Sequence, residues 1–335
     1  MTESETDVRV AVWGAGVMGE RVARSAAKLP GVAVAAVIDL DAGRARSVAD
    51  AVGACSFASL ADAVASAGVT AVYIGLPNTV HRDACLEAAR CGLDVLIDKP
   101  LTTSLRDAEE VLDAASESGR YWMMGFSYRF RTEWQRARDI VLSGGIGEPY
   151  FVSDNVIEAY RSTPAWYWSA AAGGGALQLQ SHHVFDRWEW VLGKRVSTVT
   201  AQLLAPSGAD ADLSAIVNAR FGPSLIGTSA LSFGVGYDAA PRVSFTVQGT
   251  RGMIELDESR RLTVSTDAGI LEETHDGDWL AAELSAFVAG VRGEAQGQPT
   301  IADGRRAVLL AEAAASSASD GVWVATEFAI DRRDQ

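Results

Sequence analysis

Lys99 follows the largely apolar run 94–98 in the triplet Asp98-Lys99-Pro100, and only Lys28 and Lys194 accompany it as lysines among 29 basic residues. An amine in that setting can take a proton from a hydroxyl or hand one to a carbonyl. The same triplet also suits a surface lysine paired with Asp98. A second constellation is Gly173-Gly-Gly-Ala-Leu-Gln-Leu-Gln-Ser-His-His-Val-Phe-Asp186, a glycine-rich turn opening a helical pattern. On such a helix Asp186 is within reach of His182 at i,i+4 and of His183 at i,i+3, with Leu179 one turn before His183. One imidazole of an adjacent pair can face a ligand and relay protons, and packed imidazoles behind a helix cap are the plain alternative. The pair lacks His-x-x-x-His or an equivalent spacing, so no metal site is expected.

Gly14-Ala15-Gly16-Val17-Met18-Gly19 offers a third kind of chemistry, and its flanks matter as much as its glycines. A buried-strand run precedes it; Val17, Met18, Val22, Ala23, Ala26 and Ala27 follow at helical spacing, up to Lys28, Pro30 and Gly31. In G-x-G-x-x-G one glycine makes a tight turn, one admits a pyrophosphate to the backbone, and one lets helix and strand pack closely. A pyrophosphate there meets the N–H groups and the positive dipole end of the helix. Asp39 closes the next strand 20 residues after Gly19, where its carboxylate can accept from a ribose diol or cap the following turn. That carboxylate repels a 2′-phosphate and favours NAD over NADP, while Arg44 and Arg46 just downstream are the residues that would clamp the phosphate.

Positioning these groups requires strands alternating with helices. Runs 71–77, 94–98 and 121–126 read as strands, with helices near 81–91 and 104–118, which describes a parallel sheet wound on both faces. Ligands bind beyond the carboxyl ends of such strands, where Leu76, Pro77, Asn78, Asp98 and Lys99 fall. Beyond residue 150 the pattern changes to short strands at 196–204, 215–221, 225–233, 242–248, 253–256 and 261–265. Val243, Phe245 and Val247 alternate on one face, as in an antiparallel sheet whose other face stays open. Helices near 278–291 and 303–317 follow. The expected fold class is α/β: an N-terminal Rossmann doubly wound parallel sheet over 1–126, then a C-terminal α+β domain over 127–335 with a large open, mainly antiparallel sheet. The second domain is expected to bind substrate and oligomerise, with helix 303–317 able to pack back on the Rossmann domain.

Composition narrows the remaining classes. The chain has 335 residues, 48% of them hydrophobic, enough for two domains with a sizeable core and without an apolar run long enough to span a bilayer. Its first seven residues are acidic and lack a signal peptide's basic and apolar regions, so a cytoplasmic protein is expected. The net charge of −14 argues against nucleic acid or anionic membrane as a partner. Cys55, Cys85 and Cys91 are too few and too irregularly spaced for a disulfide framework or a zinc site, and read as core packing. Residues 161–168 are dense in aromatic side chains, among which Trp166 suits either the apolar face of a sugar ring or interface packing. Tyr128 follows the last strand of the parallel sheet and can reach the same ligand.

Taken together, these motifs resemble the Gfo/Idh/MocA oxidoreductases, a family of inositol, glucose and related sugar dehydrogenases, over nearly the whole chain. Gly14, Gly16, Gly19 and Asp39 resemble its NAD loop, and Pro77-Asn78-x-x-His81 resembles the motif after its fourth strand. Asp98-Lys99-Pro100 stands where the family usually shows Glu-Lys-Pro, and Gly173 to Asp186 resembles its Gly-Gly-Gly-x-Leu motif ending in His-x-x-Asp. The resemblance implies NAD contacts from Gly14, Ala15, Gly16, Val17, Met18, Gly19, Asp39, Leu76, Pro77, Asn78, His81, Asp98 and Lys99. It implies further that Lys99 is the catalytic acid or base, that His183 helps transfer the proton, and that Asp186 orients the substrate or His183. The open sheet face is implied to make a homodimer or homotetramer. The implied substrate is a small-molecule sugar, sugar derivative or cyclitol, exchanging hydride between a secondary carbinol carbon and nicotinamide C4.

Two positions depart from the family pattern. Asp98 is one methylene shorter than glutamate and is expected to keep its role. Leu179 stands where many polyol dehydrogenases of the family carry aspartate, and an apolar residue cannot pass a proton. Either the relay runs through Lys99 and His183 alone, with Gln178, Gln180 or Tyr160 nearby, or the substrate differs from a simple cyclitol. Expected substrate contacts are Lys99, Tyr128, Tyr160, Trp166, Gln180 and His183. Redox-neutral glycoside cleavage through transient oxidation, and a nucleotide- or sugar-sensing regulator on the same scaffold, stay open as alternatives.

Overall fold

A computed structural model describes residues 8–160, 164–235, 237–294 and 299–326, the side chains of Tyr160 and Val235 excepted. The chain divides into two compact units: residues up to Phe130 together with Asp278–Arg305, and Arg131–Gly277 together with the chain from Arg306.

The first unit is built on β1 (Val8–Trp13), β2 (Val32–Ile38), β3 (Cys55–Phe57), β4 (Ala71–Ile74), β5 (Asp94–Asp98) and β6 (Trp122–Gly125). They pair in parallel in the order β3-β2-β1-β4-β5-β6. Valine, isoleucine and alanine fill the central strands because helices cover both faces; Ala11, Val12, Val37, Ile38, Val72 and Ile74 are fully buried. The connections are α1 (Val17–Ala26), α2 (Ala42–Val52), α3 (Leu60–Ala67), α4 (His81–Arg90) and α5 (Leu105–Ser118). Side-chain oxygens of Asp41, Ser59 and Ser104 cap α2, α3 and α5, which sets where those helices begin. Strand order reverses between β1 and β4, the switch point at which open α/β sheets bind ligands.

In the second unit, α6 (Thr132–Leu142) and α7 (Ala176–Leu192) pack against a sheet of β7 (Pro149–Tyr160), β8 (Thr198–Leu204), β9 (Ser214–Arg220), β10 (Ile226–Val235), β11 (Ala239–Gly249), β12 (Gly252–Asp257), β13 (Arg261–Thr266), β14 (Gly269–Thr274) and β15 (Val324–Ala325). Among the described residues the order is β14-β13-β12-β11-β7-β10-β9-β8-β15, antiparallel except where β7 meets β10. The pleat sorts the side chains: Val152, Asp154 and Val156 of β7 and Ala215, Val217 and Ala219 of β9 are buried, whereas Ile157, Ile216 and Ile226 stay exposed on the other face.

Two helices close the chain. α8 (Trp279–Val291) belongs to the first unit, where Leu280, Leu284, Phe287 and Val288 join the core of Val8, Val10, Val12, Val22 and Tyr73. α9 (Ile301–Asp320) lies in the first unit through Arg305 and in the second thereafter. The compact units divide after Phe130, close to the expected 126/127, and 278–305 goes with the parallel sheet. The reason is the stripe at i, i+4, i+7 and i+8 on α8, which needs an apolar partner. The helix expected to pack back has second-unit partners beyond Arg305, with Arg306 Nη2 donating to Glu189 Oε1 at 2.8 Å and to the Val196 carbonyl at 2.6 Å. Core packing holds for Cys85 and fails for Cys55, which is exposed on the short edge strand β3. No helix of the described residues is long and apolar enough to cross a membrane.

Candidate active site

The loop between β1 and α1 brings residues 14–19 to the switch point. Gly14 has φ +104°, and a Cβ on it would stand 2.3 Å from the Gly75 carbonyl oxygen. A Cβ on Gly19 would stand 1.7 Å from the Gly14 oxygen, so its absence lets α1 lie against β1. Gly16 differs: a Cβ there meets nothing within 4 Å, and this residue heads α1 without a side-chain acceptor for the first helical N–H groups. Ala15 is buried, Met18 half-buried and Val17 exposed beside it. Two glycines are thus required by the fold, and the third leaves open backbone of the kind a pyrophosphate needs. Two variants separate these roles. Gly19→Ala is expected to lower the melting temperature of the protein, whereas Gly16→Ala keeps it and weakens NAD binding on the order of tenfold, about 1.4 kcal/mol. Thermal unfolding with and without NAD reads both, and equal destabilisation in the two variants would contradict the division.

Asp39, just past β2, is held on both oxygens. Oδ2 accepts from Ala15 N at 2.8 Å, and Oδ1 accepts from Asp41 N at 2.8 Å and from Arg44 Nη2 at 2.9 Å. Burial works against its charge, but the Arg44 hydrogen bond and the two backbone N–H groups outweigh it and hold the carboxyl below the usual carboxylate range. Of the two arginines suited to clamp a phosphate, Arg44 is engaged by this carboxylate.

The chain leaving β4 runs through Leu76, half-buried, Pro77, exposed, and Asn78, buried, into α4. His81 is 1% exposed, with Nδ1 2.6 Å from the Pro100 carbonyl oxygen and Nε2 2.8 Å from the Leu76 carbonyl oxygen. Its imidazole thus stands between two chain segments inside the unit. Asp98 ends β5; its Oδ2 accepts from the Tyr73 hydroxyl at 3.1 Å and its Oδ1 from Lys99 N at 2.8 Å. Lys99 is half-buried, unlike the exposed Lys28. Tyr128 follows in the 3-10 turn Ser127–Phe130 and is half-buried. Within this unit the glycine loop, Asp39, residues 76–78 and Asp98-Lys99 all stand at the carboxyl ends of strands.

In the second unit the glycine run before α7 serves a cap. Asp212, between β8 and β9, accepts Leu177 N on Oδ2 at 2.9 Å and Ala176 N on its carbonyl oxygen at 2.8 Å. Gly175 has φ +104°, and a Cβ on it would stand 2.3 Å from Asp212 Oδ1, so only glycine admits this carboxylate to the helix end. Burial raises the Asp212 pKa above the ordinary value while the helix N–H groups pull it back. From Gly173 to Trp188 only Gln178, Gln180 and His183 escape burial. His182 is inside, its Nε2 3.2 Å from Gln178 Oε1, which leaves His183 as the accessible member of the pair. Asp186 is buried, and Leu179, 4% exposed, belongs to the core. Gln180 Nε2 donates to Glu158 Oε2 of β7 at 2.9 Å. Trp166 is half-buried and edge-on to Tyr167 at 4.3 Å between ring centroids. The Tyr160 side chain and residues 161–163 lie outside the described residues. Among the described residues no group of three or more His, Cys, Asp or Glu side chains is placed to hold a metal ion.

Three features escaped sequence reasoning: the Asp212 cap, the Glu158–Gln180 link, and a buried ion pair. In that pair Arg187 Nε donates to Asp154 Oδ2 at 2.8 Å and Nη2 to Oδ1 at 2.6 Å. One signal was available. Asp154 sits in the apolar phase of β7 between Val152 and Val156, where an acidic residue demands a buried partner.

Comparison with known proteins matches this arrangement. Residues 8–126 match the family described as "Oxidoreductase family, NAD-binding Rossmann fold", and residues 134–255 match "GFO/IDH/MocA C-terminal domain". The chain is 30% identical over 328 residues to inositol 2-dehydrogenase of Leifsonia xyli subsp. xyli, covering 94% of each chain. It is 29% identical over 344 residues to inositol 2-dehydrogenase 3 of Saccharopolyspora erythraea, again covering 94% of each. In fold it is similar to GenD2 from gentamicin A biosynthesis, solved in complex with NAD, with TM-score 0.84 and 24% identity over 97% of this chain and 98% of that one. Levoglucosan dehydrogenase in complex with NADH and levoglucosan gives TM-score 0.87 and 20% identity over 96% of this chain and 100% of that one. The chain belongs to the Gfo/Idh/MocA oxidoreductase family, with an NAD-binding Rossmann domain followed by the family's own C-terminal domain.

Proposed function

We propose that the protein interconverts a secondary alcohol and a ketone on a sugar, sugar derivative or cyclitol, with NAD as redox partner and Lys99 as the acid/base group. The observation that carries this reading is the place of Lys99: half-buried at the carboxyl end of β5, on the same edge of the parallel sheet as the glycine loop. Relatives named inositol 2-dehydrogenase at 29% and 30% identity support a polyol substrate. When bound, NAD supplies the hydride acceptor and donor. Gly16 and the first N–H groups of α1 hold its pyrophosphate, Asp39 its ribose, and residues 76–78 contact it further on. Lys99 Nζ takes the proton of the reacting hydroxyl during oxidation and returns it to the carbonyl oxygen during reduction. His183 assists that transfer, Asp186 orients the substrate or His183, and Gln180, Trp166, Tyr128 and Tyr160 bind its hydroxyls and apolar ring face. Leu179, buried in the core, takes no part.

Asp39 selects NAD, because an ionised carboxylate opposes the second phosphate of NADP and holds Arg44 to itself. Asp39→Ser removes the repulsion and releases Arg44, and is expected to shift the kcat/KM ratio of NADP over NAD upward on the order of 10- to 100-fold. The test of the function is absorbance at the NADH band with NAD or NADP against a panel of sugars and cyclitols. Oxidation of a polyol with NAD supports it. Release of a glycosidic aglycone without net NADH would replace it with redox-neutral cleavage, and binding without turnover of any panel member would favour a sensor. Cytoplasmic self-association into a homodimer or homotetramer is proposed through the sheet face of Ile157, Ile216 and Ile226, and a single-chain mass in sedimentation would refute the assembly.

A further inference from the structure

The backbone ladder of β5 reaches only as far as Asp98. Its last pairs are Ile97 with Ile74 of β4 and Asp98 with Gly125 of β6. Lys99 stands one residue beyond, so strand pairing does not fix its backbone. Two buried side chains bracket it instead. Tyr73 of β4 donates its hydroxyl to Asp98 Oδ2 at 3.1 Å, while Asp98 Oδ1 accepts the Lys99 N–H at 2.8 Å. On the other side His81, the first residue of α4, spans from the Leu76 carbonyl oxygen at 2.8 Å to the Pro100 carbonyl oxygen at 2.6 Å. Tyr73 is 3% exposed and His81 1%, so neither is open to a ligand. Burying a phenol and an imidazole is costly unless both are hydrogen-bonded, and here the phenol bonds Asp98 and the imidazole reaches Pro100, the two residues flanking Lys99. Packing around the phenol is tight: a Cβ on Gly75 would stand 2.6 Å from the Tyr73 ring.

We propose that Tyr73 and His81 are positioning residues for Lys99, fixing Asp98-Lys99-Pro100 to the chain that leaves β4. The proposal rests on reading Lys99 as the acid/base group. An amine carried on a four-carbon stem delivers a proton to one oxygen only if its Cα is held still, and a displacement of about 1 Å costs on the order of 100-fold in rate. Backbone carbonyls only accept, so a neutral His81 ring bonds one of them through N–H and a doubly protonated ring bonds both.

The test uses four variants of the full chain: Tyr73→Phe, His81→Leu, His81→Gln and Lys99→Ala. Each is measured for NAD affinity by fluorescence titration, for amide hydrogen exchange at Lys99 and Leu101, and for kcat and KM on myo-inositol or the polyol that the panel oxidises fastest. Tyr73→Phe and His81→Leu are expected to bind NAD within about twofold of the parent, to exchange faster at Lys99 and Leu101, and to lose kcat on the order of 10- to 100-fold with little change in KM. His81→Gln recovers part of the loss, because its amide can still donate to the carbonyls. Parent-like exchange and kcat in folded Tyr73→Phe and His81→Leu, with Lys99→Ala inactive, would overturn the positioning role alone. Turnover retained by Lys99→Ala would overturn the acid/base reading and this proposal with it. Should His81→Leu fail to fold, Tyr73→Phe, which removes one oxygen and keeps the ring, decides.

Discussion

Lys99→Ala is expected to lower kcat on the order of 100- to 10,000-fold while NAD still binds, the scale on which a positioned acid/base group contributes. Lys99 is half-buried past the end of the β5 ladder, in a segment tied through the Asp98 carboxylate, the Lys99 backbone N–H and the Pro100 carbonyl. Truncating the side chain leaves these three in place, and thermal unfolding checks that the fold is kept. NAD titration, thermal unfolding and NADH absorbance on one preparation separate the outcomes. A variant that binds NAD, melts normally and does not turn over supports the assignment, and one that keeps more than about a tenth of the parent kcat removes Lys99 from the acid/base role.

Asp154→Ala is expected to destabilise the second unit by about 3–5 kcal/mol. Both partners are buried, at 0% side-chain exposure for Asp154 and 1% for Arg187, and the guanidinium also lies 5.0 Å from the Trp134 ring centroid. Removing the carboxylate leaves a charge in an apolar interior, and the loss measures that orphaned charge rather than the worth of the pair. The double variant Asp154→Leu/Arg187→Met is therefore expected to recover most of the loss, or to exceed the parent. Urea unfolding followed on the second unit's tryptophans reads both, and a single-variant loss under about 1 kcal/mol would show that solvent reaches Arg187. Position gives the pair a second consequence. Arg187 directly follows Asp186, and the Gln180–Glu158 bond ties α7 to β7 one helical stretch earlier, so His183 lies between two polar ties to the same strand. A folded Asp154→Ala protein should for that reason raise the KM for the polyol.

Much of the first unit was legible in the sequence because its signals are local. A glycine without a Cβ, a run of β-branched residues and an apolar stripe at helical spacing each act within a few residues of themselves, and they located the glycine loop, Asp39 and Lys99. Spacing alone left His182 and His183 equivalent and the family resemblance pointed to His183; the structure adds the physical reason, since adjacent residues on a helix differ in which face meets the sheet and His182 is the buried one. The assignment of α8 to the parallel sheet, the contacts of His81, the Asp212 cap on α7 and the identity of Arg187 as the partner of Asp154 were decided by tertiary structure alone. Each joins residues far apart in the chain, and a polar side chain in a sequence does not reveal whether water or a distant partner will satisfy it.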